Sequence, residues 1–130
     1  MIEEKRCKEA AQQALTNAYA PYSRFRVAAV LLGDNGEIYA GVNVENASFG
    51  LTICAERSAL FAAVTAGERT FRWALILTEA PDPTPPCGAC RQVLREFGVP
   101  RVISLAGESR AEWEMDYLLP EAFVDFPRST

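Results

Sequence analysis

Three cysteines and one glutamate have the types and the spacing of a catalytic metal site. Cys54 is followed by Glu56 and then by Arg57, at the start of an apolar stretch that predicts a helix. Cys87 and Cys90 are three positions apart, again where a helix should begin, so they share a helix face and can bind one ion. Catalytic zinc sites have three protein ligands, an open position for water and a nearby proton carrier. Three thiols and a free carboxylate are suited to these roles.

Other readings of the cysteines stay open at this point. The C-x-x-C spacing of Cys87 and Cys90 alone is also typical of redox motifs and structural zinc sites. A redox pair leaves Cys54 and Glu56 unexplained. A four-cysteine structural site would need Cys7, which lies on the apolar stripe of the first predicted helix and has no second cysteine nearby. Burial as a small apolar side chain is therefore the prediction for Cys7.

The charge of such a site favours the catalytic reading. Three thiolates around Zn²⁺ leave a net charge of −1, which weakens the metal's ability to acidify water. Two helix N-termini near the sulfurs would oppose that charge and lower the thiol pKa values. Arg57 could donate to a ligand sulfur.

Size and composition describe one globular domain over residues 1–130. Hydrophobic residues make up 49% and charged residues 23%. The net charge of −4 argues against nucleic acid as a partner. The sequence has no apolar run of membrane-spanning length and no secretory signal at its start, so we expect no membrane partner and a cytoplasmic location. In that reducing compartment, cysteines indicate metal binding or catalysis.

Strands alternate with helices along the chain, which predicts an α/β layer fold. The expected helices are 3–19, 54–66 and 88–97; the expected strands are 25–32, 37–44, 71–78, 102–105 and 112–117; a hairpin turn lies at 34–36, a proline-rich loop at 79–86, and a final turn runs from 118 through Phe123 and Phe126. Helix 54–66 is apolar on nearly every side, which predicts burial and, in so short a chain, a partner subunit. Asn43 and Glu45 share one face of their strand, although spacing alone favours an ordinary polar strand end.

Several motifs together resemble the small cytidine deaminases of the three-cysteine type. Zinc-dependent nucleobase deaminases share an H-x-E or C-x-E element followed by P-C-x-x-C. The matching stretches here are Cys54-Ala55-Glu56-Arg57, Pro86-Cys87-Gly88-Ala89-Cys90-Arg91-Gln92, Pro21-Tyr22-Ser23-Arg24-Phe25, Asn43-Val44-Glu45-Asn46-Ala47-Ser48 and Leu118-Leu119-Pro120-Glu121-Ala122-Phe123. One departure is Val27-Ala28-Ala29, where the family usually has Val-Gly-Ala.

The resemblance implies a fold, a reaction and an assembly. The fold would be a three-layer α/β/α arrangement with a five-stranded mixed sheet whose first two strands are antiparallel. The reaction would be hydrolytic deamination of cytidine and 2′-deoxycytidine with release of ammonia, in pyrimidine salvage, with one zinc ion per subunit. The assembly would be a homotetramer with its sites at subunit interfaces.

The resemblance also implies roles for single residues. The implied zinc ligands are Cys54, Cys87 and Cys90, and the proton shuttle is Glu56, with Arg57 beside the sulfurs. The implied substrate contacts are Asn43 and Glu45 with the sugar 3′-hydroxyl, Phe25 with the pyrimidine, Ala55 with the base through its backbone, and Phe123 from a neighbouring subunit.

Three alternatives differ in function. The chain could deaminate another substrate, such as an aminonucleoside antibiotic, but Asn43, Glu45 and Arg57 favour cytidine. It could be a zinc-stabilised binding module, although a closed structural site has no use for Glu56. Editing of RNA or DNA is disfavoured by the acidic chain.

Overall fold

The central element is a five-stranded mixed sheet, seen in a computed structural model that describes residues 2–124. The strands are β1 (Val27–Gly33), β2 (Ile38–Val42), β3 (Phe71–Thr78), β4 (Arg101–Ala106) and β5 (Ser109–Glu114); the helices are α1 (Ile2–Leu15), α2 (Ala55–Thr65), α3 (Gly88–Glu96) and the short α4 (Met115–Leu118), with a 3₁₀ turn at Phe49–Leu51. Within residues 2–124, no helix is both long and apolar enough to cross a bilayer.

The strand order in the sheet is β2-β1-β3-β4-β5. All neighbouring strands are antiparallel except β3 and β4, which are parallel and are connected through α3. The predicted hairpin joins β1 to β2, and Gly36 in its turn has a φ of 84°, which favours glycine. The mixed sheet with antiparallel first strands confirms the expected topology.

Helices cover both faces of the sheet. On one face, Cys7 and Ala11 of α1 pack against a cluster that includes Trp73. On the other, α2 and α3 pack against the opposite side chains of the same strands. Cys7 is fully buried in the α1 layer, as predicted. The three-layer α/β/α arrangement is thereby confirmed.

Side chains of β2 alternate between the two faces of the sheet. Ile38 and Val42 contact the α1 cluster, whereas Tyr39 packs with the α2 cluster. Gly41 faces α2 so closely that a Cβ atom there would lie 2.3 Å from the backbone nitrogen of Ala59. Glycine at this position therefore lets α2, which begins at the metal site, lie directly on the sheet.

The structure corrects the limits of two elements. The first helix ends at Leu15 and not at 19, because Tyr19 is extended and exchanges backbone hydrogen bonds with Asn43 and Glu45. The last strand spans Ser109–Glu114 and not 112–117, because a turn at Gly107 starts it early and α4 follows it.

The burial of α2 is only partial, and the predicted final turn extends past the described residues. In the single chain α2 is not buried on every side, since the Phe61 side chain is 46% exposed. The predicted final turn reaches Phe126, which lies outside the described residues.

Candidate active site

Three thiols converge where α2 and α3 begin. The Sγ atoms of Cys54, Cys87 and Cys90 all lie within 4.8 Å of one another, and those of Cys54 and Cys87 are 3.7 Å apart. Tetrahedral zinc with Zn–S bonds of about 2.3 Å would place its sulfurs about 3.8 Å apart. The donor set therefore suits one zinc ion, as the sequence predicts. Among the described residues, this is the one such group of potential ligands, and Cys7 is not part of it.

The ends of the two helices position these ligands. Cys54 has an extended backbone and is the N-cap residue of α2, and Cys87 has the same place at α3. Cys90 lies in the first turn of α3, on the face it shares with Cys87. Both helix N-termini therefore point their positive ends at the sulfurs, which stabilises thiolates.

Arg57 supplies a positive charge next to the ligands. Its Nη2 donates a hydrogen bond to Cys54 Sγ at 3.5 Å. Hydrogen bonds from the Cys90 thiol and from Arg57 hold the pKa of Cys54 well below its usual range. The same hydrogen bond to Cys54, together with burial, raises the pKa of Cys90. The arrangement thus favours a thiolate at Cys54, next to the Arg57 guanidinium.

Glu56 is a buried carboxyl group at the same place. Its side chain is only 6% exposed. Burial raises the pKa of Glu56 to about 7, and the negative charge of Cys54 adds to this effect. A carboxyl group of this kind exchanges a proton near neutral pH, which is what general acid–base catalysis requires.

Two of the three thiol residues line a cavity, and a second cavity lies beside it. The first, of about 180 Å³, is lined by Phe25, Val27, Asn43, Thr52, Cys54, Ala55, Glu56, Ile76, Thr84, Pro85 and Cys87. The second, of about 430 Å³, is lined by Tyr22, Ser23, Glu45, Phe49 and Thr52. Thr52 lines both, so the two are neighbours, and the second is itself within the roughly 300–1,000 Å³ of small-molecule sites.

Asn43 and Glu45 lie at these cavities, but each also holds the chain in place. The Asn43 amide accepts a hydrogen bond from Val27 N at 3.0 Å and donates one to Phe25 O at 2.8 Å. Glu45 accepts hydrogen bonds from Tyr22 N, Ser23 N and Ser23 Oγ. These bonds, that from the Ser23 hydroxyl above all, lower the pKa of Glu45. Both residues therefore have a structural role next to β2, and their contact with substrate stays a prediction.

Phe25 and Ala55 lie in the first cavity, whereas Phe123 does not. Phe25 is 39% exposed and Ala55 is fully buried at the start of α2. The Phe123 side chain is 63% exposed, and its backbone carbonyl accepts a hydrogen bond from Gln92. Within one chain, the structure brings together every predicted site residue except Phe123.

The sequence interpretation assigned no role to several residues that shape the site. Thr52 lines both cavities, and Tyr22 and Ser23 hold Glu45. The sequence signal that could have identified Tyr22 and Ser23 is their place in one of the matching motifs. Thr52 lies two positions before Cys54 and carried no signal of its own.

Comparisons with known proteins agree with this geometry. Residues 1–106 match the family model described as the cytidine and deoxycytidylate deaminase zinc-binding region. The chain is 42% identical over 115 residues to the cytidine deaminase of Sporosarcina psychrophila, covering 86% of this chain and 85% of that protein. It is 42% identical over 121 residues to the cytidine deaminase of Mycobacterium tuberculosis, covering 91% and 89%.

Solved structures show the same similarity at the level of the fold. The crystal structure of cytidine deaminase from Burkholderia pseudomallei matches with a TM-score of 0.86 and 44% identity, covering 92% of this chain and 98% of that one. The crystal structure of the Mycobacterium leprae cytidine deaminase matches with a TM-score of 0.78 and 36% identity, covering 90% and 97%. Sequence and fold are therefore similar to these proteins over nearly the whole chain.

Proposed function

The chain belongs to the cytidine and deoxycytidylate deaminase family, whose members catalyse zinc-dependent hydrolytic deamination, and from that premise we propose how its residues deaminate cytidine and 2′-deoxycytidine. The products are uridine or 2′-deoxyuridine and ammonia. The observation that carries the proposal is the convergence of three thiols and the buried Glu56 on one cavity.

The proposed metal ligands are Cys54, Cys87 and Cys90. A zinc ion held by these three residues would supply the Lewis acidity that activates water in hydrolytic deamination. Arg57 and the two helix N-termini offset the charge of the three thiolates. They thereby preserve the acidity that a site with net charge −1 would otherwise lose.

Glu56 is the proposed proton carrier. It accepts a proton from the attacking water and delivers it to N3 of the pyrimidine, which makes C4 more electrophilic. It then takes the remaining proton from the hydroxyl group added at C4 and transfers it to the amino group, which leaves as ammonia while the C4 oxygen becomes a carbonyl. Burial favours this role, because it raises the pKa of Glu56 toward neutrality.

The free hydrogen-bonding capacity of Asn43 and Glu45 suits one sugar hydroxyl. A carboxylate has about four acceptor positions, and three donors from residues 22 and 23 already occupy Glu45. The Asn43 amide retains one N–H and one acceptor position after its two backbone bonds. The sugar 3′-hydroxyl would donate to Glu45 and accept from Asn43. Glu45 then has no acceptor position left, and Asn43 keeps one acceptor position but no N–H. The pair therefore does not require a 2′-hydroxyl, which supports the proposed use of both nucleosides.

Phe25 and Ala55 are the proposed contacts for the base. Phe25 packs its ring against the pyrimidine, and Ala55 contacts the base through its backbone at the start of α2. Placing the base in the first cavity puts the sugar in the second, where Glu45 lies.

Phe123 is proposed to complete the site of a neighbouring subunit in a homotetramer. Large apolar side chains that a single chain leaves exposed support the assembly; they include Phe49, Leu51, Phe61, Tyr117 and Phe123. Light scattering after size-exclusion chromatography tests it, and a mass four times that of the chain is expected.

A single domain and a cytoplasmic location complete the proposed function. Residues 1–130 form one catalytic domain, since both apolar clusters share one sheet in the described part. The protein acts in the cytoplasm, in pyrimidine salvage. Four unpaired cysteines, three of them at the metal site, suit a reducing compartment.

A substrate panel tests the proposed function. We expect similar kcat/KM values for cytidine and 2′-deoxycytidine, and values lower by about 10² or more for free cytosine and 3′-deoxycytidine, because their complexes leave Asn43 and Glu45 unpaired. In Glu45→Ala this preference for the 3′-hydroxyl should largely vanish. Equal use of cytidine and 3′-deoxycytidine by the native protein would contradict the assignment.

A further inference from the structure

Two neighbouring side chains of α3 bind backbone carbonyls outside the helix. Arg91 Nε donates to the Pro86 carbonyl at 2.8 Å, and Arg91 Nη1 donates to the Leu118 carbonyl at 2.9 Å. Gln92 Nε2 donates to the Phe123 carbonyl at 2.7 Å. Each of the three hydrogen bonds therefore connects α3 either to an irregular segment or to the last residue of α4.

The bond to Pro86 acts on a zinc-ligand residue. Pro86 is fully buried and ends the proline-rich loop 79–86, which lacks helix or strand. Its carbonyl belongs to the peptide group that leads into Cys87. Because that peptide group is planar, fixing its oxygen fixes its orientation and thereby the entry to Cys87. Arg91 thus restrains the backbone at Cys87, the predicted zinc ligand three positions before Cys90.

The other two bonds act on the C-terminal segment. The Leu118 carbonyl is at the end of α4, and the Phe123 carbonyl lies five residues later. Both are bound from the same part of α3 that follows the C-x-x-C motif. A guanidinium suits the connection, because its rigid fork donates to two carbonyls in different directions, whereas an ammonium is a point charge without such a fork.

We propose that Arg91 and Gln92 are positioning residues that together clamp the active site from outside: Arg91 holds the entry to Cys87 in the geometry that retains zinc, and Gln92 holds the segment that presents Phe123. Neither side chain lines the substrate cavities. The Gln92 half rests on the proposed function, because it needs Phe123 to contact substrate in a neighbouring subunit. The Arg91 half requires only that the three thiols bind zinc.

The Arg91 half is tested by zinc release to excess chromogenic chelator from the zinc-loaded protein. We expect Arg91→Gln to release zinc about tenfold faster or more than the native protein, as for other groups that orient metal ligands. Arg91→Lys keeps the charge but not the fork, and its rate should be intermediate. Arg95→Gln is the matched control on the same helix, and its rate should be native. A native release rate in Arg91→Lys and Arg91→Gln, or equal acceleration in Arg95→Gln, would overturn this half.

The Gln92 half is tested in Gln92→Met, which keeps the side-chain length without the donor. Its zinc release should be native, whereas KM for cytidine should rise roughly three- to tenfold with little change in kcat, as expected for loss of one hydrogen bond. Backbone hydrogen exchange in a peptide covering 119–124 should accelerate in Gln92→Met and not in Arg95→Gln. Unchanged exchange would overturn the Gln92 half even if the protein did not use cytidine. Faster exchange with a native KM would show that the segment is held but does not serve the substrate, which also contradicts the proposal.

Discussion

The Glu45 carboxylate depends on Ser23 for its position. The Ser23 hydroxyl donates to Glu45 Oε2 and accepts a hydrogen bond from Phe25 N at 3.0 Å. One serine thus connects the group proposed to bind the sugar with the residue proposed to contact the base. Its hydrogen bond also contributes most to the lowered pKa of Glu45.

Ser23→Ala should therefore impair substrate binding. We expect KM for cytidine to rise about tenfold with a smaller change in kcat, since two hydrogen bonds are lost and Glu45 is less well fixed. Steady-state kinetics at pH 7 measure both constants.

Ser48→Ala is the control for that substitution, because its exposed side chain makes no hydrogen bond among those found in residues 2–124. It should behave as the native protein. A native KM in Ser23→Ala would show that Glu45 does not need this support.

Among single residues, the three cysteines and Glu56 of the metal site were predictable from the sequence, whereas the contact between Ser23 and Glu45 was not. Few residue types bind zinc, so three cysteines and one carboxylate at these spacings favoured a catalytic zinc site over the other interpretations of the cysteines. The contact of Ser23 with Glu45 joins residues 22 positions apart, and it exists only because the chain before β1 passes over the end of β2. Composition and periodicity carry no information about such a contact.

The packing of α2 on β2 is the contact between elements that places Glu56. Gly41 allows the approach, because a Cβ atom would overlap the backbone of Ser58 and Ala59. Both clashing groups are backbone, which cannot rotate away as a side chain can. The contact therefore leaves no room for even one methyl group.

Gly41→Ala should destabilise the protein by about 1–3 kcal/mol, the usual cost of overpacking, or more if α2 cannot shift. Urea unfolding followed by circular dichroism measures this change in the free energy of unfolding. Zinc retention should fall as well, because α2 begins at Cys54. Gly50→Ala, where an added Cβ atom meets nothing within 4 Å, should change stability by less than about 0.5 kcal/mol. Equal stability of the two variants would refute the close packing.

Element types followed from the sequence better than element limits. β1 and β3 were predicted within about two residues, because their continuous apolar runs are characteristic of buried strands. The limits of β5 were missed, because its exposed charged residues Arg110, Glu112 and Glu114 give it no apolar run. Its place at the edge of the sheet depends on pairing with β4, which is a tertiary contact.

Across the whole molecule, an ion pair joins the first helix to the last strand. Arg110 donates to both carboxylate oxygens of Glu4 at 2.9 Å, although the two residues are 106 positions apart. The hydrogen bond from Arg110 is the main cause that holds the pKa of Glu4 below its ordinary value. Because folding lowers the pKa of Glu4, the pair stabilises the fold at pH values above the pKa that Glu4 has in the unfolded chain. That contribution is lost as pH falls through the folded-state pKa.

Glu4→Gln should therefore reduce stability at pH 7 by no more than about 1 kcal/mol, since the pair is partly solvent-screened. The difference from the native protein should shrink toward zero as the pH falls below about 4. Thermal unfolding at a series of pH values measures it. Glu9→Gln, at an exposed position also on α1, serves as control and should change stability at pH 7 by less than about 0.5 kcal/mol. A stability difference that stays constant as the pH is lowered would contradict the electrostatic explanation.

The central claim is that Glu56 carries protons for zinc-dependent deamination of cytidine. The most direct measurement follows the loss of cytosine ultraviolet absorbance with zinc-loaded native protein and zinc-loaded Glu56→Gln, with zinc content determined for both. We predict uridine and ammonia from the native protein, and turnover lower by on the order of 10²–10⁴ in Glu56→Gln at equal zinc content. Near-native turnover in Glu56→Gln, or no turnover of cytidine by the folded, zinc-loaded native protein, would contradict the account.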